Sequence, residues 1–281
     1  MSMAKALDDH WPEYLAEALG LGLFMVSACV FGTLLGHPGS PAARVIPDGL
    51  PRRLLMGLAM GLTAVALIYS PWGLRSGAHL NPATTLTFWR LGKVAGADAA
   101  WYVLAQVLGG ITGVLAAALF IGPALADPSV DYVATVPGSA GVVPAFLAEV
   151  VITFVLMTVV LGASNTAHLA AYTGIFAGAL VAAYITVESP VSGMSMNPAR
   201  SLASAVPAGA WGALWIYFLA PPIGMLLAAE LYVRRQGLAR VFCAKLHHDS
   251  GSRCIFHCRF GDMQAECPTM MSTAARPRRA A

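Results

Sequence analysis

One eight-residue pattern occurs twice in this chain and restricts its fold more than any other feature. Ser76-Gly77-Ala78-His79-Leu80-Asn81-Pro82-Ala83 and Ser192-Gly193-Met194-Ser195-Met196-Asn197-Pro198-Ala199 each read Ser-Gly, three residues, Asn-Pro-Ala. Each follows a long apolar run. Asparagine is a strong N-cap, and proline at the first helical position lacks an N–H that would have had no partner there. The two copies therefore open short helices, over about Pro82–Leu91 and Pro198–Val206. Neither is long enough to cross a bilayer, which takes roughly 20 apolar residues.

The remainder of the chain supplies the spans. Hydrophobic residues make up 57% of it and charged residues 11%, against about 25% charged in a soluble domain. This is an integral membrane protein, and nothing in its charge pattern suits nucleic acid. Six apolar runs, at roughly 14–36, 53–70, 98–121, 144–163, 168–187 and 210–233, predict six spanning helices. The chain divides into an N-terminal segment 1–13, a membrane domain 14–233 and a polar, basic tail 234–281, expected to be disordered. The first run has no basic leader and cleavage site, so it reads as a retained helix.

The spans duplicate. Leu15-Ala16-Glu17 returns as Leu147-Ala148-Glu149, Gly57 and Gly61 as Gly174 and Gly178, and Tyr102-Val103-Leu104-Ala105 as Tyr217-Phe218-Leu219-Ala220. The repeats cover about 14–122 and 144–233. Three spans per repeat is an odd number, so the copies enter the membrane from opposite faces and form an inverted repeat. The two half-helices then point their N-termini at each other. Lysine and arginine favour cytoplasmic termini: Lys5, Arg75, Arg90, Lys93 and the tail on one side outweigh Arg44, Arg52, Arg53 and Arg200 on the other.

Non-helical backbone at membrane depth must be buried or line a watery cavity. The residues before each Asn-Pro-Ala, notably Gly77, Ala78, His79, Gly193 and Ser195, are candidates for a line of carbonyl acceptors. Asn81 and Asn197 would add amide donors where the lines meet. Two helix N-termini, each worth about half a positive charge, would oppose cations and leave neutral molecules unaffected. Arg200 follows the second motif and has Thr84 as its counterpart in the first. Glu17 and Glu149 read as structural acceptors for loop N–H groups, with a proton relay as the alternative. The glycine pairs have the small-xxx-small spacing of close helix contacts. His79 reads as a lining or loop-bracing residue. The tail holds His247, His248, Cys254, His257, Cys258 and Cys267, but the Cys254-x-x-x-Cys258 spacing fits no strong zinc pattern, so neither metal nor cofactor is expected.

From about Glu13 to Val233 these features resemble the major intrinsic proteins, the aquaporins and glycerol facilitators. The resemblance rests on the two Asn-Pro-Ala motifs with Arg200 after the second, the repeated Ala-Glu, and Ala105-Gln106. It implies an all-α membrane fold of six spans and two re-entrant half-helices, and a homotetramer with one pore per subunit in an inner or plasma membrane. It also implies passive passage of water and small uncharged solutes, with Asn81, Pro82, Ala83, Asn197, Pro198, Ala199 and Arg200 at the pore. Ser201, Ala205 and Tyr217-Phe218 resemble the water branch. The filter departs from it. Ile185 stands where water-specific members have histidine, Met194 where small residues are usual, and Met60 or Gly61 where they have phenylalanine. The expected passengers are therefore water and small neutral solutes such as glycerol, with ions and protons excluded. A coupled transporter would need ionisable groups along the path, and only Glu17, Glu149, Glu188 and Arg200 lie near membrane depth. No nucleophile–base pair or phosphate loop suggests an enzyme.

Overall fold

The computed structural model describes residues 1–248, 251 and 253–265, and its first helix begins at Met3. Among the described residues twelve α-helices follow one another: α1 (Met3–Gly36), α2 (Pro41–Val45), α3 (Leu50–Tyr69), α4 (Pro71–Ser76), α5 (Pro82–Arg90), α6 (Gly96–Ile121), α7 (Val142–Ser164), α8 (Thr173–Val187), α9 (Ser189–Ser192), α10 (Pro198–Ala208), α11 (Leu214–Gln236) and α12 (Phe260–Ala265). Six of them, α1, α3, α6, α7, α8 and α11, are long and apolar enough to cross a membrane. The half-helices α5 and α10 are capped by Asn81 and Asn197, whose side chains accept from the backbone N–H groups of Ala83 and Ala199.

The first span begins earlier than the sequence suggests. At about 1.5 Å per residue, the 34 residues of α1 exceed the roughly 30 Å of hydrocarbon, so its first turns stand clear of the bilayer. Polar contacts to the start of α6 hold those turns. Asp98 Oδ1 accepts from the Tyr14 hydroxyl at 2.6 Å and lies 2.8 Å from His10 Nδ1. Trp101 Nε1 donates to Met3 O at 3.0 Å. The N-terminal segment is thus a helical extension that rests on the body.

Small residues bring the spans together. In the first repeat α1 packs on α6, where a β-carbon at Gly22 would stand 3.0 Å from Gly109 O. In the second, α7 packs on α11 at Gly224, in the same manner. The glycines duplicated between the repeats face one another across the inverted axis, α3 against α8. A β-carbon at Gly61 would come within 2.5 Å of Gly178 O, and one at Gly178 within 2.7 Å of Gly61 O. No side chain fits between these backbones.

Two buried carboxylates hold the non-helical stretches. Glu17 Oε1 accepts from Ser76 Oγ (2.7 Å) and His79 N (3.0 Å), and its Oε2 from Leu80 N (2.6 Å) and Gln106 Nε2 (2.7 Å). Glu149 repeats the arrangement. Its Oε1 accepts from Ser192 Oγ (2.8 Å) and Ser195 N (2.6 Å), and its Oε2 from Met196 N (2.8 Å). Every one of these neighbours is a donor, a set that an acceptor-only, ionised carboxylate satisfies. A tyrosine completes each brace: Tyr102 donates to Ser76 O at 2.7 Å, and Tyr217 to Ser192 O at 2.5 Å.

The expectation of a disordered tail does not describe residues 238–248 and 253–265. Beyond α11 and the turn Leu238–Arg240, the chain runs back under the bundle, where Val241, Phe242, Cys243, Ala244, Lys245 and Leu246 are all buried. Specific partners fix it. Phe242 N donates to Asn165 Oδ1 (2.7 Å), Leu246 N to Gly77 O (3.1 Å), and His257 N to Lys93 O (2.9 Å). A polar composition concealed this packing, because the apolar residues that anchor the segment follow no helical or strand period.

Two outcomes are expected. Glu17→Gln would set an amide N–H₂ against surrounding donors, and each orphaned buried donor costs about 1–3 kcal/mol. The unfolding midpoint in detergent should fall by roughly 5–20 °C, and a midpoint equal to wild type would refute the brace. Gly61→Leu should abolish monodisperse protein in size-exclusion chromatography, whereas Gly61→Ala should retain part of it.

Candidate pore

A cavity of about 630 Å³ runs through the bundle. On the side away from the termini its wall includes Asp48, Arg52 and Ser129. It then passes Arg200, Met194 and Ile185, reaches Asn81 and Asn197, and ends among Ala78, His79 and Leu246. The residues at its centre are fixed by the motif's own chemistry. Glycine opens each non-helical stretch in the left-handed region, at φ 92° for Gly77 and 78° for Gly193. Non-glycine residues then adopt the same region: Ala78 (54°), Leu80 (48°), Met194 (50°) and Met196 (56°). Such residues cost about 1–3 kcal/mol each and persist only where their surroundings impose them. Glu17 and Glu149 are those surroundings.

The two motifs meet side chain to backbone. Asn81 Nδ2 donates to Met196 O at 2.7 Å, and Asn197 Nδ2 donates to Leu80 O at 2.7 Å. Each side-chain oxygen is already used as a cap, Asn81 Oδ1 by Ala83 N (2.9 Å) and Asn197 Oδ1 by Ala199 N (3.1 Å) and Arg200 N (3.2 Å). An amide nitrogen carries two hydrogens, so each asparagine keeps one donor beyond the bond that ties the loops together. Pro82, Ala83, Pro198 and Ala199 are buried behind the asparagines and do not line the cavity.

Among the residues proposed for a carbonyl line, Ala78, His79, Gly193 and Ser195 lie on the wall. Gly77 does not: its carbonyl accepts from Leu246 N at 3.1 Å. His79 is clamped on both ring nitrogens. Nε2 lies 2.8 Å from Ala244 O, which can only accept, so Nε2 carries the hydrogen and Nδ1 accepts from Thr85 Oγ1 at 3.0 Å. Its ring is stacked between Phe88 and Phe256, each 5.3 Å away.

Near Arg200, Met60 lines the cavity and Gly61 sits in the α3–α8 contact. Ile185 and Met194 stand on the same wall as Arg200. The Nη1 of Arg200 is buried and has no acceptor among the described residues. Beside Met60, Ile185 and Met194, Arg200 is a cation with a donor to spare.

Sequence reasoning missed three elements here. The tyrosine braces were visible only as part of the repeat. Gln106, which joins Glu17 to Thr85 (3.1 Å), appeared as a marker of resemblance without a role. The tail's entry to the cavity had no signal of its own in a single sequence.

Comparison with known proteins agrees with this architecture. The family model described as Major intrinsic protein matches residues 4–232. Aquaporin Z of Rhodopseudomonas palustris is 33% identical over 230 residues, covering 78% of this chain and 91% of that protein. Glycerol uptake facilitator protein-like 6 of Lactiplantibacillus plantarum is 35% identical over 225 residues, covering 77% and 94%. The X-ray structure of the aquaglyceroporin from Plasmodium falciparum shares the fold at a TM-score of 0.64 and 21% identity, covering 79% of this chain and 95% of that one. With the paired asparagines, the inverted spans and a family match over most of its length, this chain belongs to the major intrinsic protein family.

Proposed function

We propose that the protein is a passive channel for water that also passes small neutral solutes such as glycerol and excludes ions and protons. The observation that carries this reading is the meeting of Asn81 and Asn197 in the middle of a continuous cavity, each tied to the opposite loop. A passing hydroxyl or water finds amide donors there and carbonyl acceptors on either side. The N-termini of α5 and α10 converge on the same point, and their partial positive charges disfavour a cation.

Arg200, Ile185, Met194 and Met60 set the choice of neutral passenger. Arg200 supplies donors to a hydroxyl, while Ile185 and the two flexible methionines accept a carbon face. A polyol can satisfy both surfaces at once. Water meets fewer partners on such a wall, which slows it without barring it. The relatives named for aquaporin Z and for glycerol uptake are consistent with both passengers. On the lysine and arginine bias, both termini face the cytoplasm of an inner or plasma membrane, and the subunits assemble as a homotetramer.

Stopped-flow light scattering on proteoliposomes tests the substrate reading. Because Leu246 lines the terminus-side end of the cavity, wild type and Leu246→Gly are compared. Water-driven shrinkage and glycerol-driven reswelling should both exceed those of empty vesicles in Leu246→Gly. Water no faster than empty vesicles with either protein would overturn the channel, and fast water with glycerol at the empty-vesicle rate would overturn the wide filter. In the Leu246→Gly background, Arg200→Val should keep neutral flux and add a proton leak, read from a trapped pH dye. A leak equal to that of Leu246→Gly alone would place charge exclusion elsewhere.

A further inference from the structure

The match to the family ends at residue 232, yet the polypeptide beyond it is folded against the end of the cavity. Three thiols and an imidazole meet in that segment. Cys243 Sγ lies 3.6 Å from Cys254 Sγ, and Cys258 Sγ lies 3.2 Å from His248 Nε2. One ligand atom from each of the four lies within 4.8 Å of all the others. A tetrahedral ion with metal–sulfur bonds of about 2.3 Å spaces its sulfurs about 3.8 Å apart, and the cluster has that size. A disulfide needs its sulfurs at about 2.05 Å and would use only two of the four groups. Against the expectation that the tail's cysteines and histidines are incidental stands the convergence of His248, Cys254 and Cys258 with Cys243; Cys267 lies outside the described residues. The spacing, Cys243-x₄-His248-x₅-Cys254-x₃-Cys258, is simply not a common one.

We propose that Cys243, His248, Cys254 and Cys258 bind one zinc-class divalent cation, and that this ion clamps the tail across the terminus-side end of the pore and closes it. The closure rests on the channel reading above; the metal site does not.

The position of the ligands along the chain links the two parts. Cys243 and His248 bracket Ala244–Leu246, the residues that engage the re-entrant loop: Ala244 O accepts from His79, Leu246 N donates to Gly77 O, and Lys245 Nζ donates to Leu74 O at 2.5 Å. Cys254 and Cys258 bracket Phe256, whose ring stacks on His79 with 6° between the planes. One ion would therefore hold both contacts that the tail makes with His79. Leu246 is buried with Ile68, Met157 and Ala177, which line the same end of the cavity. It is the tail's own contribution to the wall there.

Charge and order point the same way. Three thiolates and a neutral imidazole around a divalent ion leave one net negative charge. Two buried cations hold the backbone beside the ligands: Lys245 Nζ donates to Arg253 O at 2.7 Å and Lys93 Nζ to His257 O at 3.4 Å. The described residues between 241 and 259 form no helix or strand. A segment of this kind is one in which the free energy of metal binding becomes folding free energy.

The test uses the purified full-length chain. Stripped protein titrated with Co²⁺ should take up one equivalent, with the thiolate charge-transfer and tetrahedral ligand-field absorption of a sulfur-rich site. Cys258→Ser and Cys243→Ser should lose that spectrum. In proteoliposomes, zinc-loaded wild type should pass water little faster than empty vesicles. A membrane-permeant zinc chelator, Leu246→Gly or Cys258→Ser should each raise the rate roughly tenfold. The chelator should then add nothing to Cys258→Ser. Absence of the cobalt spectrum, or its persistence in both serine variants, would overturn the metal site, as would a disulfide detected between any of these cysteines in protein as isolated. Zinc-loaded wild type as fast as the chelated and Leu246→Gly proteins, all above empty vesicles, would overturn the closure. All forms at the empty-vesicle rate would fail the channel reading and the closure with it, while the cobalt result would still decide the metal.

Discussion

Two carboxylates buried in a membrane bundle hold the rest of this structure in place. Glu17 and Glu149 gather the N–H and O–H groups of two stretches of backbone that belong to no helix. Each stretch also contains two non-glycine residues in the left-handed region, at a cost of about 2–6 kcal/mol. Hydrogen bonds to a charged acceptor contribute about 1.5–3 kcal/mol each, so three or four of them offset that strain, less the cost of burying the charge itself. The same bonds turn N–H groups inward to the carboxylate, and the peptide carbonyls are left to face the other way. A wall of acceptors is thus a by-product of satisfying the donors.

The inverted repeat follows from the same economy of parts. One three-span unit with one half-helix leaves the half-helix's N-terminus, and its partial positive charge, unopposed at membrane depth. A second copy in the opposite sense brings an asparagine to each loop's last carbonyl, Leu80 O and Met196 O. Neither repeat can complete this pair alone. The contact of Gly61 with Gly178 brings α3 and α8 close enough for the pair to form, so the helix packing and the central hydrogen bonds depend on one another.

Much of this was legible in the residues because the fold repeats its signals. The capped half-helices, the spans and the duplicated acidic and glycine positions each follow from local chemistry read twice. Where the sequence reading went astray, a long-range contact decided the outcome. The helix over Met3–Glu13 depends on Asp98, far away in the chain. Met60 and Gly61 are adjacent, and only the position of Gly178 tells which one faces the cavity. Gly77 lies in the motif, but its carbonyl is claimed by Leu246, a residue that periodicity gave no reason to bring back.

The tail shows why such a contact leaves so faint a trace. A helix announces itself through a period and a strand through alternation, whereas a metal cage needs only four ligand atoms that reach a common point. The intervening residues can be of almost any kind, as the Arg253 and Lys245 found among them illustrate. Lys245 is nonetheless buried, and its ammonium is held by two carbonyls, Leu74 O and Arg253 O. A buried lysine is costly unless its partners are fixed, and those partners lie on the re-entrant segment and on the tail's own returning strand of chain. The plug is therefore a polar structure set in an apolar mouth. It depends on its two halves being held together, and the sulfur cluster is the point at which they are.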